Sequence, residues 1–179
     1  MARKTIDTIV IEDSASIARH AADVFNYLTN PSNVPLWSAV VTEVEPIEES
    51  LKVGSRRRAN LNVLGVNITT EGEVIALDPI NLKAGLRTRV PLGASIDSDF
   101  HIDDLGDHCV VHFVETISIP EGALPEGLEL KSVSLAATAA LHNTMTSIQN
   151  VLNSHEETNL AHFSAASAYN IPPPQQLHP

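Results

Sequence analysis

The sequence predicts an α+β fold, a seven-stranded antiparallel sheet curved around one long C-terminal helix, with two short helices after the first strand. Three observations predict it. Between residues 130 and 152, Leu130, Ser134, Ala137, Leu141, Met145, Ile148 and Leu152 recur at steps of three and four, the period that places them on one side of an α-helix. Most of the chain from Ala39 to Ile119 instead alternates apolar and polar residues and is broken by turn formers, the pattern of strand after strand. The connections are short, so strands adjacent in sequence pair antiparallel. The middle of the helix is Ala, Ser and Thr, which fill little volume, and a helix with a thin centre lying across a curved sheet leaves a hollow beneath it.

Taken in order, residues 1 to 7 read as a lead-in. From Thr8 to Ile17, Ile9, Ile11, Ala15 and Ile17 alternate with Val10, Glu12, Ser14 and Ser16, a first strand with odd positions inward, Asp13 among them. Ala21, Val24, Phe25 and Leu28 make a short amphipathic helix, which Asn30-Pro31 ends because a residue before proline avoids the α region. Pro35 and Trp37 close a second helical turn. Six further strands are expected near 39–47, 53–63, 66–78, 81–90, 95–104 and 108–119. Pro120 to Gly127 leads into the long helix. Residues 1–154 read as one domain with an internal hydrophobic cavity, and the polar, proline-rich 155–179 as a surface tail.

Side-chain parity sorts the strands' faces. Ala59, Leu61 and Val63 go inward on the third strand; Thr70, Gly72, Val74 and Ala76 on the fourth; Leu82, Ala84, Leu86 and Val90 on the fifth; Ile96, Phe100 and Ile102 on the sixth. The outer face then runs basic (Arg56, Arg58), acidic (Glu71, Glu73), basic (Lys83, Arg87, Arg89) and acidic (Asp97, Asp99, Asp103) across four neighbouring strands. Opposite charges facing each other stabilise by about 0.2–1 kcal/mol per pair, so this alternation supports the strand order.

Composition narrows function. Eleven basic against twenty-two acidic residues give a net charge of -11, which repels phosphate backbones and anionic headgroups, so nucleic acid is not expected as a partner. No apolar run reaches the roughly 18 residues of a membrane span and no charged-then-apolar leader opens the chain, which points to the cytoplasm. Lone Cys109 forms neither an internal disulfide nor a thiolate metal cluster. No metal or other cofactor is expected. Glycine-rich phosphate loops and nucleophile-elbow patterns are absent.

The order of elements is the helix-grip arrangement, and the sequence resembles the SRPBCC superfamily of START-like and birch-pollen-allergen-like proteins, specifically its polyketide cyclase/dehydrase-type members. Ile17-Ala18, Ala22 through Pro31, Trp37, Val53 through Arg56, Asp78-Pro79 and Leu105-Gly106-Asp107 carry the likeness, which spans about residues 8 to 153. These motifs are structural punctuation. The resemblance implies a deep apolar cavity between sheet and helix that takes a sterol, lipid, aromatic or polyketide. It also implies ring closure without metal or nucleotide in some members and carriage alone in others. It assigns no catalytic residue.

Candidates therefore come from polarity and parity. Asp13 on the first strand and Glu115 on the last share the inward phase, Glu115 with Cys109, Val111 and Phe113. In the resembled fold these strands pair, which brings the two carboxylates close enough to raise at least one pKa and divide acid and base roles. Arg57, in phase with Ala59 and Leu61, is the oxyanion anchor. Tyr27, Thr70, Thr88, Ser98 and Asn143 are hydrogen-bonding candidates; Trp37, Phe100, Phe113, Leu141 and Met145 are candidate walls.

Bland readings stand beside these. A one-residue slip would put Asp13 and Glu115 on the surface, Arg57 also belongs to an Arg56-Arg57-Arg58 run, and Trp37 and Met145 suit plain packing. His101 with its neighbouring aspartates reads as a charged outer face rather than a cation site, and His112 is outward too. Functionally, a cofactor-independent cyclase or dehydratase competes with a hydrophobic-ligand carrier, and a subunit docking through its acidic exterior is a third reading. The expected state is a monomer or homodimer.

Overall fold

The computed structural model describes residues 6–46, 51–63, 65–124 and 126–154. Its strands are β1 (Ile6–Ile17), β2 (Val41–Pro46), β3 (Arg56–Val63), β4 (Val66–Asp78), β5 (Lys83–Arg89), β6 (Ser95–Asp104) and β7 (Cys109–Pro120). Its α-helices are α1 (Ala21–Thr29), α2 (Val34–Trp37) and α3 (Leu130–Asn153). All seven strands form one antiparallel sheet in the order β1-β7-β6-β5-β4-β3-β2. The chain crosses from one edge to the other through α1 and α2, then returns strand by strand. This is the helix-grip fold that the alternation and the long helix predict.

Two details depart from the expected parity. Ala76 is exposed rather than inward, because the β4–β5 register shifts between Val74 and Ala76 and hands the inward position to Leu77. Gly85 lies opposite that bulge, where a Cβ would collide with Asp99 Oδ1 and come within 3.3 Å of Ala76 Cβ. Val63, at the end of β3, is also exposed. Elsewhere the outer-face ladder forms as expected, with Arg56 opposite Glu73, Glu73 opposite Arg87, and Arg87 opposite Asp97. Arg87 clasps Asp97 through two hydrogen bonds of 2.7 Å each.

The packed core sits at one end. Ile17, Val24, Cys109, Val111, Ile148 and Leu152 are its deepest side chains. There Arg19 Nε donates to Leu152 O, Ala18 N to Asn153 Oδ1 (2.9 Å), Gln149 Nε2 to Ser16 O (3.3 Å) and Ala39 N to Thr144 Oγ1 (3.0 Å). These bonds lie between residues 144 and 153 of α3, so the second half of the helix is the anchored half. Its fully buried residues, Leu141, Thr144, Met145, Ile148 and Leu152, fall in that half as well.

Candidate functional site

The first half of α3 covers the sheet less completely. Val133, Ser134, Ala136, Ala137 and Ala140 are half-buried, and so are the inward Leu86, Thr88, Ile96, Ser98, Phe100 and Glu115 of β5, β6 and β7. The level of the thin stretch follows from the helix and strand rises. Gln149 meets Ser16, and His142 meets Asp13; stepping down two strand residues, about 6.6 Å, corresponds to about four helix residues. Ala137 and its neighbours thus lie level with Ile11, whose β7 partner is Glu115. The small residues of the helix centre face the row that carries the carboxylate.

That row reads Ile11, Glu115, Ser98, Leu86, Val74 from β1 to β4; the next reads Ile9, Ile117, Ile96, Thr88, Gly72, Arg57 across to β3. Glu115 is set among aliphatic side chains with Ser98 Oγ donating to its Oε1 at 3.4 Å. Desolvation raises its pKa above the ordinary 4.5, outweighing the lowering effect of that long hydrogen bond. From the other side, Arg57 lays its stem over Gly72: a Cβ there would lie 3.4 Å from Arg57 Cγ and 3.5 Å from its Nε. Burial pulls the Arg57 guanidinium down to about 10, so it stays charged at neutral pH. Among the described residues no carboxylate pairs with it. A carboxyl whose pKa is raised and a cation with no carboxylate partner among the described residues thus share one concave, largely apolar surface, in adjacent rows and four strands apart, on β7 and β3.

The expected Asp13–Glu115 carboxylate pair does not form. Both are on the inward parity, but the register puts Asp13 opposite Phe113 and Glu115 opposite Ile11, a diagonal relation. The Asp13 carboxylate instead accepts from His142 Nδ1 (3.1 Å) and from Ser14 N (2.7 Å), strapping β1 to an exposed flank of α3. Burial, not a neighbouring carboxylate, is what perturbs Glu115.

The other candidates divide in two. Thr88, Ser98 and Phe100 line the half-open concave face. Tyr27, Trp37, Phe113, Leu141 and Met145 belong to the packed core, with Trp37 and Phe113 ring centroids 6.0 Å apart and Phe113 stacked on Phe100 at 5.1 Å. Thr70 is buried and donates its hydroxyl to Ala59 O (3.2 Å), and Asn143 faces solvent. Cys109 is fully buried and its thiol is pushed up to about 11, the state of a packing residue rather than a nucleophile. Sequence reasoning missed Gly72 as the floor beneath Arg57 and His142 as the partner of Asp13. A glycine at an inward position of a long strand was the available signal for the first; for the second there was none short of the register.

This combination of fold and inward-facing polar groups belongs to the helix-grip class. Residues 8–152 match the family described as polyketide cyclase / dehydrase and lipid transport, and the chain belongs to that family. No curated protein matches the sequence. Three solved structures share the fold. The Zhui aromatase/cyclase of a Streptomyces species is 16% identical, with 86% of this chain and 96% of that one covered and a TM-score of 0.67. A truncated norcoclaurine synthase from Thalictrum flavum is 18% identical, with 87% and 100% covered and a TM-score of 0.66. A START superfamily protein from Mycobacterium smegmatis is 13% identical, with 80% and 96% covered and a TM-score of 0.66. No described helix is long and apolar enough to cross a membrane.

Proposed function

We propose that the protein is a cofactor-independent polyketide cyclase or dehydratase acting on a hydrophobic, polyketide-like substrate held between α3 and the concave face of the sheet. The observation that carries this reading is Glu115, a carboxyl with a raised pKa in an aliphatic surround, on the same concave face as Arg57, a buried cation with no carboxylate partner among the described residues. A poly-β-ketone chain loses a proton between two carbonyls and closes by attack of that carbon on another carbonyl. Glu115 as carboxylate takes the proton; as carboxylic acid it returns one to the departing hydroxyl on dehydration. Arg57 stabilises the enolate oxygen as charge develops there, in a site where partial exclusion of water strengthens the interaction. Ser98 orients Glu115, and Thr88 lies between the two charged groups. In this reading Asp13 holds β1 to α3 and takes no proton. Residues 1–154 form the working domain, the tail expected at 155–179 lies outside the described residues, and the protein acts in the cytoplasm as a monomer or homodimer.

The test is turnover of a synthetic linear poly-β-ketone by wild type and Glu115→Gln. Loss of a general acid/base costs about 10²–10⁴ in rate, so the variant should fall by that factor while still quenching the fluorescence of Trp37, the single tryptophan. A carrier is the second reading, favoured by the aliphatic majority of the concave rows and by the lipid-transport part of the family description. It replaces the first if wild type returns only the spontaneous product mixture while binding the same compound.

A further inference from the structure

The opposite, convex face of the sheet carries a cluster that the proposed reaction does not use. His101 on β6 and His112 on β7 are direct cross-strand partners, their rings stacked with centroids 4.6 Å apart and planes 10° from parallel. Asp103, two residues beyond His101 on the same face, accepts from His112 Nε2 at 3.1 Å. One ligand atom from each of the three lies within 4.8 Å of the others. The sequence suggests only a charged strand here; register is what selects three donors out of that run and brings them together.

We propose that His101, Asp103 and His112 form a binding site for a divalent transition-metal ion of the zinc, nickel or copper class. Two imidazoles and one carboxylate are the donor set that borderline ions prefer over magnesium or calcium, and three protein ligands leave further positions to water. With metal–ligand bonds of about 2.1 Å, the observed His112–Asp103 separation corresponds to an angle of about 95° at the ion, within the range of tetrahedral and octahedral sites. An ion would take the place of the hydrogen bond between these two side chains. His101 makes no hydrogen bond to another described residue, so turning its ring about χ2 to close the remaining distance gives up only its stacking on His112. Both histidines are half-buried, and the antiparallel ladder fixes their backbones, which limits the ordering cost of binding. The net charge of -11 favours a cation, although Lys83 stands opposite His101 on β5 and weakens the local field. A bound ion would clip β6 to β7 three residues from Ser98 and from Glu115, bracing the two strands behind the proposed site.

Isothermal titration of the chelator-treated full chain with zinc chloride tests this, paired with cobalt absorption to read the ligand set. The wild type should bind, with a rise in Tm on adding zinc. His101→Ala/His112→Ala should weaken binding by about a hundredfold or more and Asp103→Asn by about tenfold, since even indirect partners of metal ligands are worth 10- to 100-fold. His142→Ala should bind as wild type does. All four side chains are at least partly exposed and none belongs to the packed core, so the metal-free variants should remain folded. Absence of binding at millimolar zinc overturns the proposal. So does undiminished affinity in the double variant, which would move the ion to other histidines of the chain.

Discussion

The two halves of α3 live in different surroundings, and the contrast explains where chemistry is possible in this fold. Its second half, from Leu141 to Leu152, has large apolar side chains at helical spacing, hydrogen bonds to β1 and to the segment before β2, and fully buried neighbours in Ile17, Val24 and Val111. Its first half offers Ala136, Ala137 and Ala140 to the sheet and leaves Leu86, Thr88, Ser98 and Glu115 half-buried. One half spends its surface on stability. The other leaves inward-facing groups accessible, and the perturbed carboxyl and guanidinium of the concave face, Glu115 and Arg57, are there.

The sharpest way to break this comparison is to truncate an aliphatic side chain in each half. Ile148→Ala removes a fully buried side chain from a core that cannot collapse around the gap, and should cost about 2–5 kcal/mol in urea unfolding. Leu86→Ala removes a side chain that solvent already reaches in part, and should cost about 1 kcal/mol. Equal losses would mean that the concave face is as tightly packed as the core.

The closed half was legible in the sequence and the open half only partly so. Leu141, Met145, Ile148 and Leu152 announce themselves by period, and Ile17 with Cys109 by parity, because hydrophobic burial is periodic and local in origin. The charge alternation across β3 to β6 fixed strand order for the same reason. Three facts needed register, a property of pairs of strands that no single strand encodes: that Asp13 faces Phe113 rather than Glu115, that a bulge after Val74 turns Ala76 outward, and that His101 stacks on His112. Arg57 was ambiguous within its triplet because parity says which face a residue is on, while the space that receives a long side chain comes from Gly72 on the next strand.

Glu115 sharpens the comparison through pH. The folded state holds its proton more tightly than the unfolded chain, whose carboxyl titrates at 4.5. The stability this provides is complete below 4.5 and is lost as pH rises through the raised value. Glu115→Gln does not ionise, so its Tm should match wild type in acid, exceed it increasingly as pH rises from about 4.5 through the raised value, and then keep a constant lead. A constant difference across that range would place Glu115 in water.

Arg57 gives a smaller effect of related origin. Its desolvated charge has no carboxylate partner among the described residues, so Arg57→Met exchanges an unfavourable burial for an apolar one. Chemical unfolding should find the variant as stable as wild type or slightly more so, by up to about 1 kcal/mol. Titration with an aromatic carboxylate, monitored at Trp37, should show binding lost. Retained binding would detach the cation from the ligand's anionic end.

Gly72 supplies the smallest and most discriminating change. Its backbone is ordinary strand, so alanine adopts it without strain, and the added Cβ would touch Arg57 Cγ and Leu86 Cδ1 at 3.4 Å rather than collide with them. Replacing glycine inside a strand should gain about 0.5–1 kcal/mol by reducing the freedom of the unfolded chain. If the residue were chosen for stability, alanine would be the better choice. The added methyl fills the space beneath the Arg57 stem and so restricts how its guanidinium settles on the concave face it shares with Glu115. Gly72→Ala should therefore unfold at slightly higher urea yet turn over the poly-β-ketone several-fold more slowly. A variant that gains stability with turnover intact would show that the floor under Arg57 has no part in positioning it.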